Sequence, residues 1–300
     1  MPPLPDGSIA KALSEQASSE KTLFEKMTLE EVIANPSVSD DSNVLNDFKV
    51  NEAFLHNAWQ RLCQQLDIHC EDYIWHSYQQ LVAYYSQPQR AYHNLEHLTE
   101  CLLQFESMRH LAQQPALLEL ALWCHDAIYE PTQDSHDPQY NNEQQSANWA
   151  VRFLQQGQAT DEIKPALDTP QHMAHKNMAH KNTAHVAKQT ISPAKQNNQT
   201  ALQLLEQLIM ATKHHQASTP DEQFMVDIDL AILASKPSRF ARYEQQIRFE
   251  YQFVPQEVFV LKRREVLLQF YQRERIYQSD YFYQHLEQAA RQNLQRALGF

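Results

Sequence analysis

Three short islands hold the residues best suited to chemistry: Tyr92-His93-Asn94-Leu95-Glu96-His97, His125-Asp126 and Asp227-Ile228-Asp229. Imidazoles and carboxylates together form the donor set of a divalent metal of borderline hardness, such as manganese, iron, cobalt or zinc, and the carboxylates also admit magnesium. One or two ions fit that number of donors. A bound ion lowers the pKa of water and polarises a phosphoryl oxygen. The chemistry expected is therefore hydrolysis by a metal-activated hydroxide.

Each island also has a plainer reading. His93 and His97, four residues apart, share a face if both lie on one helix. They are equally a pair of polar residues at a helix start, where Asn94 as N-cap leaves His93 just outside. His125-Asp126 follows the apolar run Leu120-Ala121-Leu122-Trp123-Cys124. A carboxylate buried there needs a cation or strong donors; an exposed helix end needs neither. Asp227 and Asp229 interrupt an apolar helix whose core side is Phe224, Met225, Ile228 and Ile232, and Asp229 flanks that side slightly more closely. His215 shares a face with Leu204, Leu208 and Thr212, whereas His214 points away. It reads as a second-metal ligand, a substrate contact or a capped core histidine. Arg90, Lys213, Arg248, Arg263 and Arg264 are candidate phosphate contacts, set against surface charge or helix capping.

The elements that must position these residues are helical. Among 300 residues glycine occurs only at 7, 157 and 299. Phosphate-cradling loops and dinucleotide turns need glycine where backbone meets ligand, so both are excluded. Apolar spacing predicts helices over 51–66, 71–86, 94–105, 115–127, 142–155, 201–215, 221–234, 237–253, from 256, and 279–298. The expected fold is an all-α domain over 49–300. Residues 1–48 read as a mobile extension with a short helix at 22–34. Residues 157–200 read as a disordered, low-complexity insert, repeating Met-Ala-His-Lys-Asn and carrying His172, His175, His180 and His185.

The formal net charge is −12, which opposes binding to duplex nucleic acid or anionic membrane. Scattered Cys63, Cys70, Cys101 and Cys124 read as reduced thiols, and neither a signal peptide nor a spanning run is evident. A cytoplasmic location is expected, with a homo-oligomer allowed.

Taken in order, the motifs resemble those of the HD superfamily of metal-dependent phosphohydrolases. The resemblance rests on Arg90-Ala91-Tyr92-His93-Asn94-Leu95-Glu96-His97, His125-Asp126-Ala127-Ile128-Tyr129, Asn142-Glu143-Gln144-Gln145-Ser146-Ala147, Ala211-Thr212-Lys213-His214-His215 and Asp227-Ile228-Asp229-Leu230. A bacterial family of HD phosphohydrolases shows the same series over about residues 50–300, apart from the insert. The resemblance implies an HD-type helical bundle with His97, His125, Asp126 and Asp229 as metal ligands. Asp126 would bridge a second ion where there are two. His93 would donate a proton to the leaving oxygen or contact the phosphate, as in the similar element of cyclic-nucleotide phosphodiesterases. The downstream pattern of those enzymes is missing, so cyclic-nucleotide specificity does not follow. Glu143 would be the second-sphere partner of a ligand histidine. Arg264 and Arg275-Ile276-Tyr277 fall in the family's C-terminal region. The implied substrate is a small phosphate ester, nucleotides included. The alternatives are an HD-fold di-iron oxygenase, with His215 as the extra ligand, and a non-catalytic module binding metal or nucleotide.

Overall fold

The computed structural model describes residues 52–132, 141–159 and 193–300. The expectations for 1–48 and for most of the insert lie outside the described residues. Among the described residues there are ten α-helices, three short 3-10 turns and no strand. In chain order the helices are α1 (Glu52–Gln65), α2 (Glu71–Tyr85), α3 (Leu95–Met108), α4 (Pro115–Cys124), α5 (Asn142–Gln158), α6 (Pro193–Met210), α7 (Pro220–Asp229), α8 (Pro237–Glu250), α9 (Gln256–Tyr271) and α10 (Asp280–Leu298).

The architecture is organised around α4. Every residue from Leu117 to Cys124 is buried. A helix apolar on all sides must be enclosed by others, and α4 packs against α1, α3, α5, α6 and α7. Its one buried charge, Glu119, meets Arg61 at 3.0 Å and also pairs with Arg109. Pro115 starts the helix where no N–H is missed. Asp221 reaches across from α7 to accept from Gln113 N at 2.8 Å and Gln114 N at 2.7 Å. The helix that delivers His125-Asp126 is thus fixed at its start and along its sides.

The helices beside the insert run further than the sequence pattern indicates. α5 continues to Gln158, α6 begins at Pro193, and the two pack on each other. The range 157–200 therefore shortens at both ends. Gly157 is needed for close approach, since a Cβ there would lie 2.7 Å from Ile68 Cδ1.

Candidate metal centre

The start of α3 and the ends of α4 and α7 meet at one place, with the end of α8 beside them. Asn94 caps α3, accepting from Glu96 N at 2.8 Å and His97 N at 3.4 Å. His97 therefore sits in the first turn, and His93 stands just before the helix. His125 is the C-cap of α4, and its Nδ1 lies 2.9 Å from Leu122 O. Donation to that carbonyl places the ring proton on Nδ1 and turns Nε2 toward the cluster. Asp126 follows in the turn, and Asp229 closes α7.

The four side chains converge, with one donor atom of each within 4.8 Å of the others. His97 Nε2 is 3.2 Å from His125 Nε2, 3.5 Å from Asp126 Oδ2 and 3.4 Å from Asp229 Oδ1. His125 Nε2 is 3.1 Å from Asp126 Oδ2 and 3.6 Å from Asp229 Oδ1. Ligands at about 2.1 Å from one ion, at angles between octahedral and tetrahedral, stand roughly 3.0–3.4 Å apart. Spacing and donor type both fit a divalent metal. The imidazoles form the buried side, while Asp126 and Asp229 retain 19% and 15% exposure.

Without a metal these groups form an ion network. Burial disfavours charge on His125, but Asp126 and Asp229 outweigh it and hold the imidazole well above its ordinary value. Burial works against charge on His97 too, yet Cys101, Tyr92 and the bonds to Asp126 and Asp229 hold it well above its ordinary value. Burial also opposes the charges on Asp126 and Asp229, yet the facing imidazoles hold both well below the carboxylate range. The cluster thus keeps two carboxylates ionised in a site that needs cations to balance them.

His93 belongs to a second arrangement beside the first. Its Nδ1 lies 2.6 Å from Glu250 Oε2, and its ring stacks on Tyr129 with centroids 4.2 Å apart. Glu250, at the end of α8, is buried. It also accepts from Tyr92 N at 2.7 Å, His93 N at 2.9 Å and Tyr129 Oη at 3.0 Å. Burial works against its charge, but the His93 imidazole and the two amides keep the carboxyl below its ordinary value. The pair fixes the ring and directs Nε2 away from Glu250.

Other candidates are placed as follows. His215 adopts φ 49°, in the left-handed region, and its Nε2 stands 3.3 Å from Asp229 Oδ2. It touches the centre through the outer carboxylate oxygen, outside the four-donor group. Asp227 is not at the centre. It accepts from Gln278 N at 2.8 Å, Ser279 N at 2.7 Å and Ser279 Oγ at 2.6 Å, and so holds the start of α10.

Arg90 is corrected from a phosphate contact to a backbone clamp. Its guanidinium donates to His93 O at 3.1 Å, Asp126 O at 2.6 Å and Ala127 O at 2.9 Å. Glu143 is corrected too: His125 uses Leu122 O, and the nearest polar neighbour of His97 Nδ1 is Cys101 Sγ at 3.7 Å. Arg264 donates to Leu298 O at 2.8 Å, at the end of α10. Arg248 caps Tyr251 O and Val254 O, and Arg263 forks onto Glu244. Lys213 is exposed. Cys63, Cys101 and Cys124 are free and buried, and Cys70 is free and exposed. No described helix is long and apolar enough to cross a membrane.

Glu250 and Cys101 were not singled out by sequence as site residues, and Tyr129 was quoted only as the close of the motif that begins at His125. Cys101 had a signal in its i, i+4 spacing from His97. Glu250 had none, lying 157 positions from its partner. Compared with known proteins, the chain matches no family model, no curated protein and no solved structure.

Proposed function

We propose that this chain is a metal-dependent phosphohydrolase of the HD type, acting on a small phosphate ester, with nucleotides in the substrate class. The observation that carries the reading is the placement of an oriented imidazole, His93 on Glu250, beside a four-donor cluster of metal spacing. His97, His125, Asp126 and Asp229 would hold the ion. When bound, it supplies the Lewis acidity that lowers the pKa of water and withdraws charge from a phosphoryl oxygen. Glu250 fixes the ring of His93 by accepting at Nδ1 and at the backbone amide. His93 Nε2 then holds a proton for the departing oxygen. Arg90 keeps the backbone of His93 and Asp126 in register, so that donor and cluster stay at a set distance.

The test is metal analysis of anaerobically purified protein, followed by a phosphatase screen over nucleotides and sugar phosphates. Stoichiometric metal and metal-dependent release of phosphate support the reading. Metal content unchanged in His125→Ala, or phosphate release insensitive to chelation, would refute it.

One observation favours the di-iron oxygenase instead, namely the approach of His215 to Asp229. Two irons per chain and dioxygen uptake by the reduced protein would mark that chemistry.

A further inference from the structure

A phosphate ester approaching this centre meets two carboxylates and a surface of net charge −12. Recognition calls for a cation near the mouth. Most described arginines are paired with carboxylates. Arg90, Arg248 and Arg264 are spent on carbonyls.

Arg273 differs from these. It makes one side-chain hydrogen bond, from Nη1 to His215 O at 3.2 Å, and has no carboxylate partner among the described residues. Its guanidinium lies 4.7 Å from the Phe270 ring centroid, and the His215 ring lies 5.5 Å from the same ring. His215 in turn reaches Asp229 at 3.3 Å. Arg273 therefore holds the backbone of the residue whose ring reaches the cluster, and shares Phe270 with that ring. Half-buried, it loses hydration, and no neighbouring anion offsets the resulting downward pull on its pKa. A guanidinium partly desolvated without a counter-charge is costly unless a ligand supplies one.

Its backbone is held firmly. Arg291 Nη2 donates to Arg273 O at 2.8 Å, Glu287 accepts from Ile276 N and Tyr277 N, and Asp227 accepts from Gln278 N and Ser279 N. Gln278 Nε2 reaches His215 O at 3.2 Å, tying this segment to the cluster. A side chain on so fixed a base loses little order when it takes a ligand.

We propose that Arg273 is the anion-recognising residue of this site, donating its remaining guanidinium N–H groups to phosphate oxygens of the bound ester. The planar fork of arginine matches a phosphate with two parallel bonds, which a lysine does not. The proposal rests on the phosphohydrolase reading and names the residue that binds the phosphate.

The test is calorimetric titration of inorganic phosphate into the manganese-loaded chain. Arg273→Gln should weaken phosphate binding by about tenfold to a hundredfold, the range for a lost charge-assisted hydrogen bond, with metal content unchanged. Arg273→Lys should recover part of the loss. Arg275→Gln, two residues on and paired with exposed Asp280, should bind like the parent. Unchanged affinity in Arg273→Gln, an equal loss in Arg275→Gln, or loss of metal in Arg273→Gln would each overturn the assignment. Arg273-dependent phosphate binding without turnover of any phosphate ester would instead overturn hydrolysis and leave the anion site standing. A parent chain that binds no phosphate would overturn the Arg273 assignment and leave hydrolysis to the ester screen.

Discussion

Replacing Glu250 by glutamine isolates the charge that holds His93. The carboxylate accepts four bonds, from Tyr92 N, His93 N, His93 Nδ1 and Tyr129 Oη. Glutamine has nearly the same shape but one acceptor oxygen. With that oxygen on the two amides, its NH2 faces His93 Nδ1. The ring must then bare Nδ1 and carry its proton on Nε2, and the charge-assisted bond that oriented it is gone. Losing a hydrogen bond to a charged group costs about 1.5–3 kcal/mol, or roughly 10–150-fold in rate. Turnover of an alkyl phosphate should fall by that factor. A nitrophenyl ester should lose less, because its leaving group needs less protonation. His93→Ala should cost the alkyl ester more, about 10²–10⁴-fold. The double variant should be no worse than His93→Ala alone, since the two residues act as a unit. Steady-state rates on both esters and metal content of each variant form the assay. Additive losses in the double variant, equal losses on both esters, or departure of metal from Glu250→Gln would refute the assignment of His93 and Glu250 to proton handling.

Four further outcomes are expected. His97→Ala and His125→Ala should each lose stoichiometric metal while circular dichroism stays helical; metal retained in both would dissolve the cluster assignment. The metal-free imidazoles sit well above their ordinary value, so binding must displace their protons, and affinity should tighten as pH rises. The slope should be about tenfold per pH unit for each proton displaced, and a flat profile between pH 6 and 8 would contradict the coupling. Asp227→Ala removes three hydrogen bonds at the start of α10 and should cost about 2–4 kcal/mol of stability, read as a lower Tm; a loss of metal with Tm unchanged would instead place Asp227 at the centre. Because α5 and α6 pack together on either side of it, replacing residues 160–192 by a short flexible linker should leave metal binding and the thermal transition intact. Insoluble protein would show that the segment contributes to the core.

The helices were legible in the sequence because their signals are local. Leu55, Ala58, Trp59 and Leu62 recur at helical spacing and are the buried stripe of α1. Pro115, Asn94 and Ser279 mark helix starts by chemistry that acts within one turn. The site was legible only where it borrowed such signals. His97 and His125 fall at helix ends that the apolar pattern locates. The choice between Asp227 and Asp229 was barely visible, because both interrupt the same stripe; what separates them is that Asp227 meets the start of α10, some 50 residues away. Arg90 was read by its charge, whereas its role is set by the carbonyls of Asp126 and Ala127. Glu250 and Arg273 act across the fold, and no periodicity within a helix encodes a partner on another.

The placement of the centre also has an electrostatic reason. α7 and α8 end at Asp229 and Glu250, α4 ends just before its C-cap His125, and α3 begins beside His97, so three helix C-termini and one N-terminus meet there. Each C-terminus carries partial negative charge from its last carbonyls, worth about 0.3–1 kcal/mol toward a nearby cation, and the single N-terminus offsets one of them. With two ionised carboxylates added, the field favours a metal or a protonated imidazole. The same field repels a phosphate. An anionic substrate can settle only where positive charge outweighs those termini, and three groups can provide it: the ion held by the four donors, His93 when protonated on Glu250, and Arg273 beside His215. This makes a testable demand on salt. Because two of the three are partly buried and close to the anion, phosphate affinity should fall only modestly between 50 and 200 mM salt, unlike binding steered by exposed surface charge. A steep salt dependence would place recognition on the outer surface and remove Arg273 from the site.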